Sequence, residues 1–335
     1  MFLQEDKKMI ISRAPVRVPI GGGGTDLPFF FANHGSDLIT SAIDKYIYVF
    51  VSERKFHDEF RIAYSKTENV KTVGEIENTR VKAALQLLEI TKPLEISTVS
   101  EVPGQSGLGS SSTFLVALLK ALHEYKREHI SHKILAEEAC KIEIETLNEP
   151  IGKQDQYASA FGGVNHLNIS KTGNVIVSPL NISQDTIRGL EENLYMFYTG
   201  IQRSASEVLQ DQAKKAVSNE EKVEFMKEIK QIGIEIKKCL ETGNIRRFGE
   251  WMNMHWEVKK KMSDKISNPQ IDKWYETAIQ NGALGGKIMG AGGGGFFLFY
   301  CEKNGQFFLK AMESAGLKYV PFRFDFDGCK IISHF

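Results

Sequence analysis

Cysteine is scarce in this chain: four in 335 residues (Cys140, Cys239, Cys301 and Cys329), with no CxxC pair. That excludes a disulfide framework and a cysteine-built zinc site, and it suits buried free thiols in a reducing cytoplasm. Charge of one sign is also missing, since 42 Lys and Arg stand against 42 Asp and Glu. A general nucleic-acid binder or a protein of anionic membrane surfaces carries a basic excess, so neither partner is expected. No apolar run reaches the length of a membrane span, and residues 1–9, MFLQEDKKM, hold no signal-peptide core. The expectation is a cytoplasmic soluble protein with length enough for two domains.

Glycine is concentrated in three places. The most informative is Pro103-Gly104-Gln105-Ser106-Gly107-Leu108-Gly109-Ser110-Ser111-Ser112. It follows an extended segment, Leu94–Val102, and precedes Phe114, Ala117, Leu118, Ala121, Leu122 and Tyr125 at helical spacing. Free amides at a helix N-terminus and the positive end of its dipole favour an anion, and the serines add hydroxyls for phosphate or Mg²⁺. The loop lacks the lysine of a P-loop, and Ser112 stands where a dinucleotide fingerprint needs glycine. An ordinary capped helix start is the competing explanation.

Three further constellations accompany it. Arg13-Ala-Pro-Val-Arg17-Val-Pro-Ile-Gly21-Gly22-Gly23-Gly24-Thr25-Asp26 holds four consecutive glycines, costly in backbone entropy unless something must approach the main chain closely. Glu149-Pro-Ile-Gly-Lys153-Gln154-Asp155-Gln156-Tyr157 offers Asp155 as a group able to take a proton from an alcohol. On the helix before it, Glu143 shares a stripe with Ala136, Cys140 and Leu147, whereas Glu145 lies with Glu138 and Lys141. A carboxylate on an apolar stripe needs a compensating charge; Mg²⁺ is one, an unseen Lys or Arg the other. Lys287-Ile-Met-Gly290-Ala-Gly292-Gly293-Gly294-Gly295 runs into a strand at Phe296, pointing to close approach by a ligand or to a tight corner. Trp251, His255 and Trp256 read as packing between domains.

Strands are expected at Met9–Val18, Ile43–Val51, Leu94–Val102 and Leu194–Tyr198. Helices are expected from Ser131 to about Leu147, near Ser204–Ala216, over Glu220–Glu241 and over Ile271–Asn281. The end reads β-α-β-β, Phe296–Cys301, Phe307–Ser314, Pro321–Asp325 and Cys329–Ser333, as one sheet with an apolar face and a wet face. This is an α+β pattern of two domains, 1–180 and 181–335.

In order and spacing, RAPVRVPIGGGGTDLP, the serine loop, NEPIGKQDQYASAFGG and YTGIQRSASEVL resemble the GHMP family of small-molecule kinases over residues 10–333. The nearest likeness is to its sugar branch, with the heptose 7-phosphate kinases and the fucokinase domain. The resemblance implies an N-terminal domain like domain 2 of ribosomal protein S5, a ferredoxin-like C-terminal domain, and ATP and substrate in the cleft between. It implies that Gly104, Ser106, Gly107, Leu108, Gly109, Ser110, Ser111 and Ser112 bind ATP. Ser110 or Ser111 would join Glu143 on Mg²⁺, and Asp155 would be the catalytic aspartate facing Arg17. Gly22, Gly23, Gly24, Thr25, Asp26, Gly200, Gly292 and Gly293 would contact the sugar. Gly22-Gly23-Gly24 replaces the Gly-Glu-His of galactokinases, which argues against galactose.

The implied reaction moves the γ-phosphoryl of ATP to the anomeric hydroxyl of D-glycero-D-manno-heptose 7-phosphate, giving the 1,7-bisphosphate. The phosphate already on such a sugar needs a cation, for which Arg13, Lys153 and Arg203 (beside Gly200) are the candidates. A neutral sugar such as L-fucose is the rival acceptor, and a non-catalytic nucleotide or sugar sensor on the same fold is the other alternative.

Overall fold

The computed structural model describes residues 9–203 and 205–334. Its backbone begins with two long antiparallel strands, Ile10–Gly21 and Ser36–Glu53, rich in β-branched and aromatic side chains. Their register slips between Pro15 and Arg17 and again between Pro19 and Gly21. Such irregularities twist a strand and re-aim its side chains, here on both sides of Arg17. Leu94–Ser100 and Val164–Ile169 pair with successive parts of Ser36–Glu53, and Val175–Pro179 continues the edge. Among the described residues this sheet has eight strands.

Both faces of the sheet are covered, which is why Ile10–Gly21 is buried along nearly its whole length instead of alternating. Helices Thr79–Leu87, Ser110–Tyr125, His132–Cys140 and Gln154–Phe161 close one face, in a core that includes Val49, Leu115, Leu119 and Leu135. The other face joins Val16, Val18 and Ile20 to Ile229, Ile232 and Ile236 of the helix Glu220–Glu241. The two halves of the chain therefore share one continuous apolar core.

The second half is a βαββαβ unit: Leu194–Tyr198, Gly285–Ile288, Phe296–Tyr300 and Lys318–Tyr319, antiparallel wherever they pair. The fourth strand and then the third flank the first, with the second outside the third, a ferredoxin-like order. Helices Ile245–Lys260 and Gly305–Ser314 pack on it through Phe248 and Phe308, whose rings lie edge-on to Tyr300 and Phe299. The α+β, two-part architecture is thus observed.

Three local expectations are corrected. Pro321–Asp325 is not a strand: Phe324 makes a single bridge to Ile43. Lys330–His334 lies outside the second sheet, where the β-α-β-β reading of the end put it, and pairs with Ile10–Gly21. Of the alternating Phe322, Phe324 and Phe326 the first two are buried and Phe326 is exposed, and alternation says nothing of which sheet covers a face. The helix from Ser131, whose hydroxyl accepts from Ile134 N, is α-helical only over His132–Cys140 and widens into a π turn over Lys141–Thr146. The helix expected near Ser204–Ala216 spans Ala205–Ser218, and Ser204 itself lies outside the described residues.

Candidate active site

The serine loop sits where the two halves meet, and its shape follows from its glycines. A β-carbon on Gly107 (φ 84°) would stand 2.5 Å from Met289 O, and one on Gly290 would stand 2.8 Å from Gly107 Cα. The serine loop and the glycine cluster at 290–295 thus touch main chain to main chain, a separation no side chain permits. Gly109 is the left-handed N-cap of Ser110–Tyr125, so the opening amides of that helix face a cavity of about 530 Å³. Gly104, Ser106, Gly107, Gly109 and Ser110–Ser112 line that cavity. Leu108 does not: its side chain is buried in the core, and its carbonyl accepts from Arg17 N at 3.2 Å.

Arg17 and Asp155 meet across the loop. Arg17 Nε and Nη2 donate to Asp155 Oδ1 and Oδ2 at 2.7 and 2.8 Å, and Nη1 donates to Gly107 O at 2.6 Å. This bidentate fork fixes the carboxylate plane and ties it to the loop. Asp155 is in the first turn of Gln154–Phe161, with its side chain 20% exposed to the cavity against 5% for Arg17.

Asp26 lies on the same cavity wall, buried, with Oδ2 accepting from Gln154 N at 3.0 Å and Oδ1 from Gly24 N at 3.2 Å. Burial, and secondarily the charge of Asp155, raises its carboxyl above the usual 3.8, although the Gln154 amide opposes this. Gly23 and Gly24 line the cavity beside it. Gly22 and Thr25 do not. Gly22 faces Asp37 O and Leu38, and the Thr25 hydroxyl bonds Gly22 O at 2.7 Å and Ser36 Oγ at 2.6 Å. These two shape the turn.

The π turn carries Glu143 inward, fully buried, and leaves Glu145 exposed. Arg80 Nε donates to Glu143 Oε1 at 2.8 Å and Gln156 Nε2 to Oε2 at 2.6 Å, while Arg80 Nη2 reaches Glu149 Oε1 at 3.1 Å. Burial raises the Glu143 carboxyl, with Arg80 opposing it. Of the three serines, Ser112 is the one whose hydroxyl interacts with Glu143, whereas Ser110 and Ser111 line the cavity from the helix start. The cation that the stripe demanded is the partly exposed Arg80, which sequence spacing could not select.

The proposed anchors for a substrate phosphate are elsewhere. Arg13 pairs with Asp327 at 3.0 Å and stacks 4.1 Å over the Tyr46 ring; Lys153 donates to Gly173 O at 2.7 Å. Neither lines the cavity, nor do Gly200, Gly292, Gly293 and Arg203. Arg203 packs against Gly293, and Gly292 faces Ile266, so both glycines serve packing. Unanticipated residues do line it: His255, Lys259 and Lys287, all buried, and Gln212, whose amide donates to Ala291 O at 3.0 Å. His255 shares its helix with Trp256, which is core, and only three-dimensional placement separates the two roles.

Known proteins give the same picture. The GHMP kinases N terminal domain matches residues 78–163, and the GHMP kinases C terminal domain matches residues 236–317. The D-glycero-alpha-D-manno-heptose 7-phosphate kinase of Campylobacter jejuni is 30% identical, over 96% of this chain and 98% of its own. The L-fucokinase/L-fucose-1-P guanylyltransferase of Bacteroides fragilis is 25% identical over 89% of this chain, which spans 35% of that larger protein. The crystal structure of a D-glycero-D-manno-heptose 1-phosphate kinase from Bacteroides thetaiotaomicron superposes with a TM-score of 0.81 at 26% identity, covering 97% of this chain and 99% of that one. With its glycine loop, Arg17–Asp155 fork and two-part fold, this chain belongs to the GHMP kinase family.

Proposed function

We propose that this GHMP kinase transfers the γ-phosphoryl group of ATP to the anomeric hydroxyl of a heptose phosphate, D-glycero-D-manno-heptose 7-phosphate, giving the 1,7-bisphosphate. As an ATP-dependent sugar kinase it needs three things in one place: a cradle for phosphates, a base for a hydroxyl, and acceptors for a sugar. The observation that carries the reading is the Arg17–Asp155 fork, hydrogen-bonded to Gly107 in the wall of the cavity that Asp26 also lines.

In this reading the amides of Gly107–Ser112 hold the β- and γ-phosphates. Asp155 orients the attacking hydroxyl and takes its proton, and Arg17 offsets the negative charge that develops on the transferring group. Asp26 accepts a hydrogen bond from a sugar hydroxyl. Mg²⁺ fits the donor set of Glu143, Ser112 and the hydroxyls of Ser110 and Ser111, all hard oxygens, one of them a carboxylate on a buried floor. When bound with ATP it supplies charge neutralisation of the phosphates.

The test is ADP release with saturating MgATP over a panel of free and phosphorylated sugars, with the product's new phosphoester located by NMR. Turnover is expected with the heptose 7-phosphate, with phosphorus on the anomeric oxygen, and Asp155→Asn should lower kcat by about a hundredfold or more. Turnover of L-fucose in preference to the heptose phosphate would overturn the acceptor assignment. An Asp155→Asn variant with wild-type kcat would overturn the role of Asp155.

A further inference from the structure

One wall of the cavity carries positive charge that phosphoryl transfer, as described, does not use. His255 and Lys259 lie four residues apart on the helix Ile245–Lys260, hence on one face of it, and Lys287 lies on the adjoining strand Gly285–Ile288. All three line the cavity, with 0%, 8% and 1% of their surfaces exposed. Lys259 Nζ donates to Gly290 O at 2.5 Å and Lys287 Nζ to Ile20 O at 3.2 Å. Among the described residues neither lysine has a carboxylate within salt-bridge distance, and neither ring nitrogen of His255 has a hydrogen-bond partner.

Two buried ammonium groups beside an unbonded imidazole are costly unless an anion completes them. Burial, with Arg203 and Arg17 adding to it, lowers Lys259 to about 7; burial also presses Lys287 well below its ordinary value. His255 is held well below 6.5 by burial and by the two lysines, so it faces the cavity as a neutral ring with one N–H to donate.

We propose that Lys259, Lys287 and His255 form a second anion subsite that binds the phosphate monoester already carried by the acceptor sugar. The inference rests on the sugar-phosphate reading above and names the residues that distinguish such an acceptor from a neutral one. The placement favours the acceptor over ATP. Lys287 is tied to Ile20, which leads into the glycine turn ending at Asp26, the sugar side of the cavity. The charges of both Arg17 and Asp26 bear on Lys259, and that of Arg17 on Lys287. The serine loop already gives ATP its own amides. A phosphate dianion would offset both ammonium charges through charge-assisted hydrogen bonds, whereas a neutral sugar would leave them uncompensated.

The experiment has two arms on the whole protein. In the binding arm, thermal unfolding is followed with saturating ADP, with and without D-glycero-D-manno-heptose 7-phosphate or the unphosphorylated heptose. The sugar phosphate should raise the Tm of wild type and the free sugar should do so much less; Lys259→Met and Lys287→Met should each lose the sugar-phosphate shift while keeping the ADP shift. In the kinetic arm, Lys259→Met and His255→Leu should raise KM for the sugar phosphate by about tenfold or more, with KM for ATP within about threefold of wild type. Lys259→Arg, which keeps the charge, should recover part of the loss. The inference is overturned if KM for ATP rises as much as KM for the sugar phosphate, or if the sugar phosphate gives wild type no larger shift than the free sugar. Should wild type bind the sugar phosphate yet not phosphorylate it, the kinase assignment for that acceptor fails while the anion subsite stands.

Discussion

A β-carbon at Gly109 would lie 2.8 Å from Oδ2 of Asp155. The N-cap of the serine-loop helix and the carboxylate proposed to activate the acceptor are therefore in direct contact. Gly109 also has φ 77°, where a side chain is strained. Gly109→Ala should push Asp155 out of its fork with Arg17. The expected result is a fall in kcat of about tenfold or more, with unfolding stability lowered only modestly, by about 1 kcal/mol. Steady-state kinetics beside a thermal melt checks both; an unchanged kcat would show that the contact does not position Asp155.

Removing the partner of a buried carboxylate should cost more than removing the pair. Arg80→Ala leaves Glu143 buried without its cation and should lose about 3 kcal/mol or more. Because burial already raises the Glu143 carboxyl, the loss should shrink as pH falls and the group becomes neutral. The double variant Arg80→Met, Glu143→Gln should regain much of the lost stability. Urea unfolding at pH 7 and pH 5 gives the comparison, and equal losses at both would refute it.

Asp37 ties the first sheet to the second half of the chain. Its Oδ1 accepts from His166 and Asn168, each at 2.9 Å, and Lys230 of Glu220–Glu241 pairs with Oδ2 at 3.3 Å. Hydrogen bonding from His166, then Asn168 and Lys230, against the opposing effect of burial, holds the carboxyl far below its usual 3.8. A depressed acid stabilises the fold above its unfolded value and loses that contribution as pH falls toward the folded one. Wild type should therefore lose Tm progressively as pH falls below about 4, and Asp37→Asn should be less stable at pH 7 with a flatter acid limb. Melting curves across that range decide it.

Lys259 should show the cost of holding a cation for a ligand. Its folded value of about 7 lies below 10.5, so between these values the unfolded chain keeps a proton that the folded chain has released. Stability then rises with pH through that window, and the full burial cost is felt below it. Lys259→Met should raise Tm at pH 6, and the gain should narrow by pH 9.5. A constant gain across pH would mean that the charge of Lys259 is not the source of the instability.

Much of this site was readable along the chain because backbone conformation is local. Glycines at 107, 109 and 290 announced close main-chain approach, and Ser131 announced a helix start that the structure shows with its capping bond. Arg17 and Asp26 stood in one of the expected segments and Asp155 in another, and the fold brings all three to one cavity. Thr25 beside Asp26 and Leu108 inside the loop looked equally functional, yet each turns into the protein, since position in a motif does not say which way a side chain faces. The tail failed for the same reason: a strand with one apolar face has no label for the sheet that will cover it.

The sequence alone determined the chemical classes open to this chain. Balanced charge, scattered cysteines and glycine clusters in a given order are properties of composition and of neighbouring residues. Tertiary structure decided the partners: Arg17 meets Asp155 across 138 positions, Arg80 meets Glu143 across 63, and Lys287 reaches Ile20 across 267. Charges bury only where another group compensates them, and at such separations chain folding alone selects that group. A linear reading took His255 for packing, met Lys287 only at the head of a glycine cluster and passed over Lys259; the three come together only when the cavity is drawn.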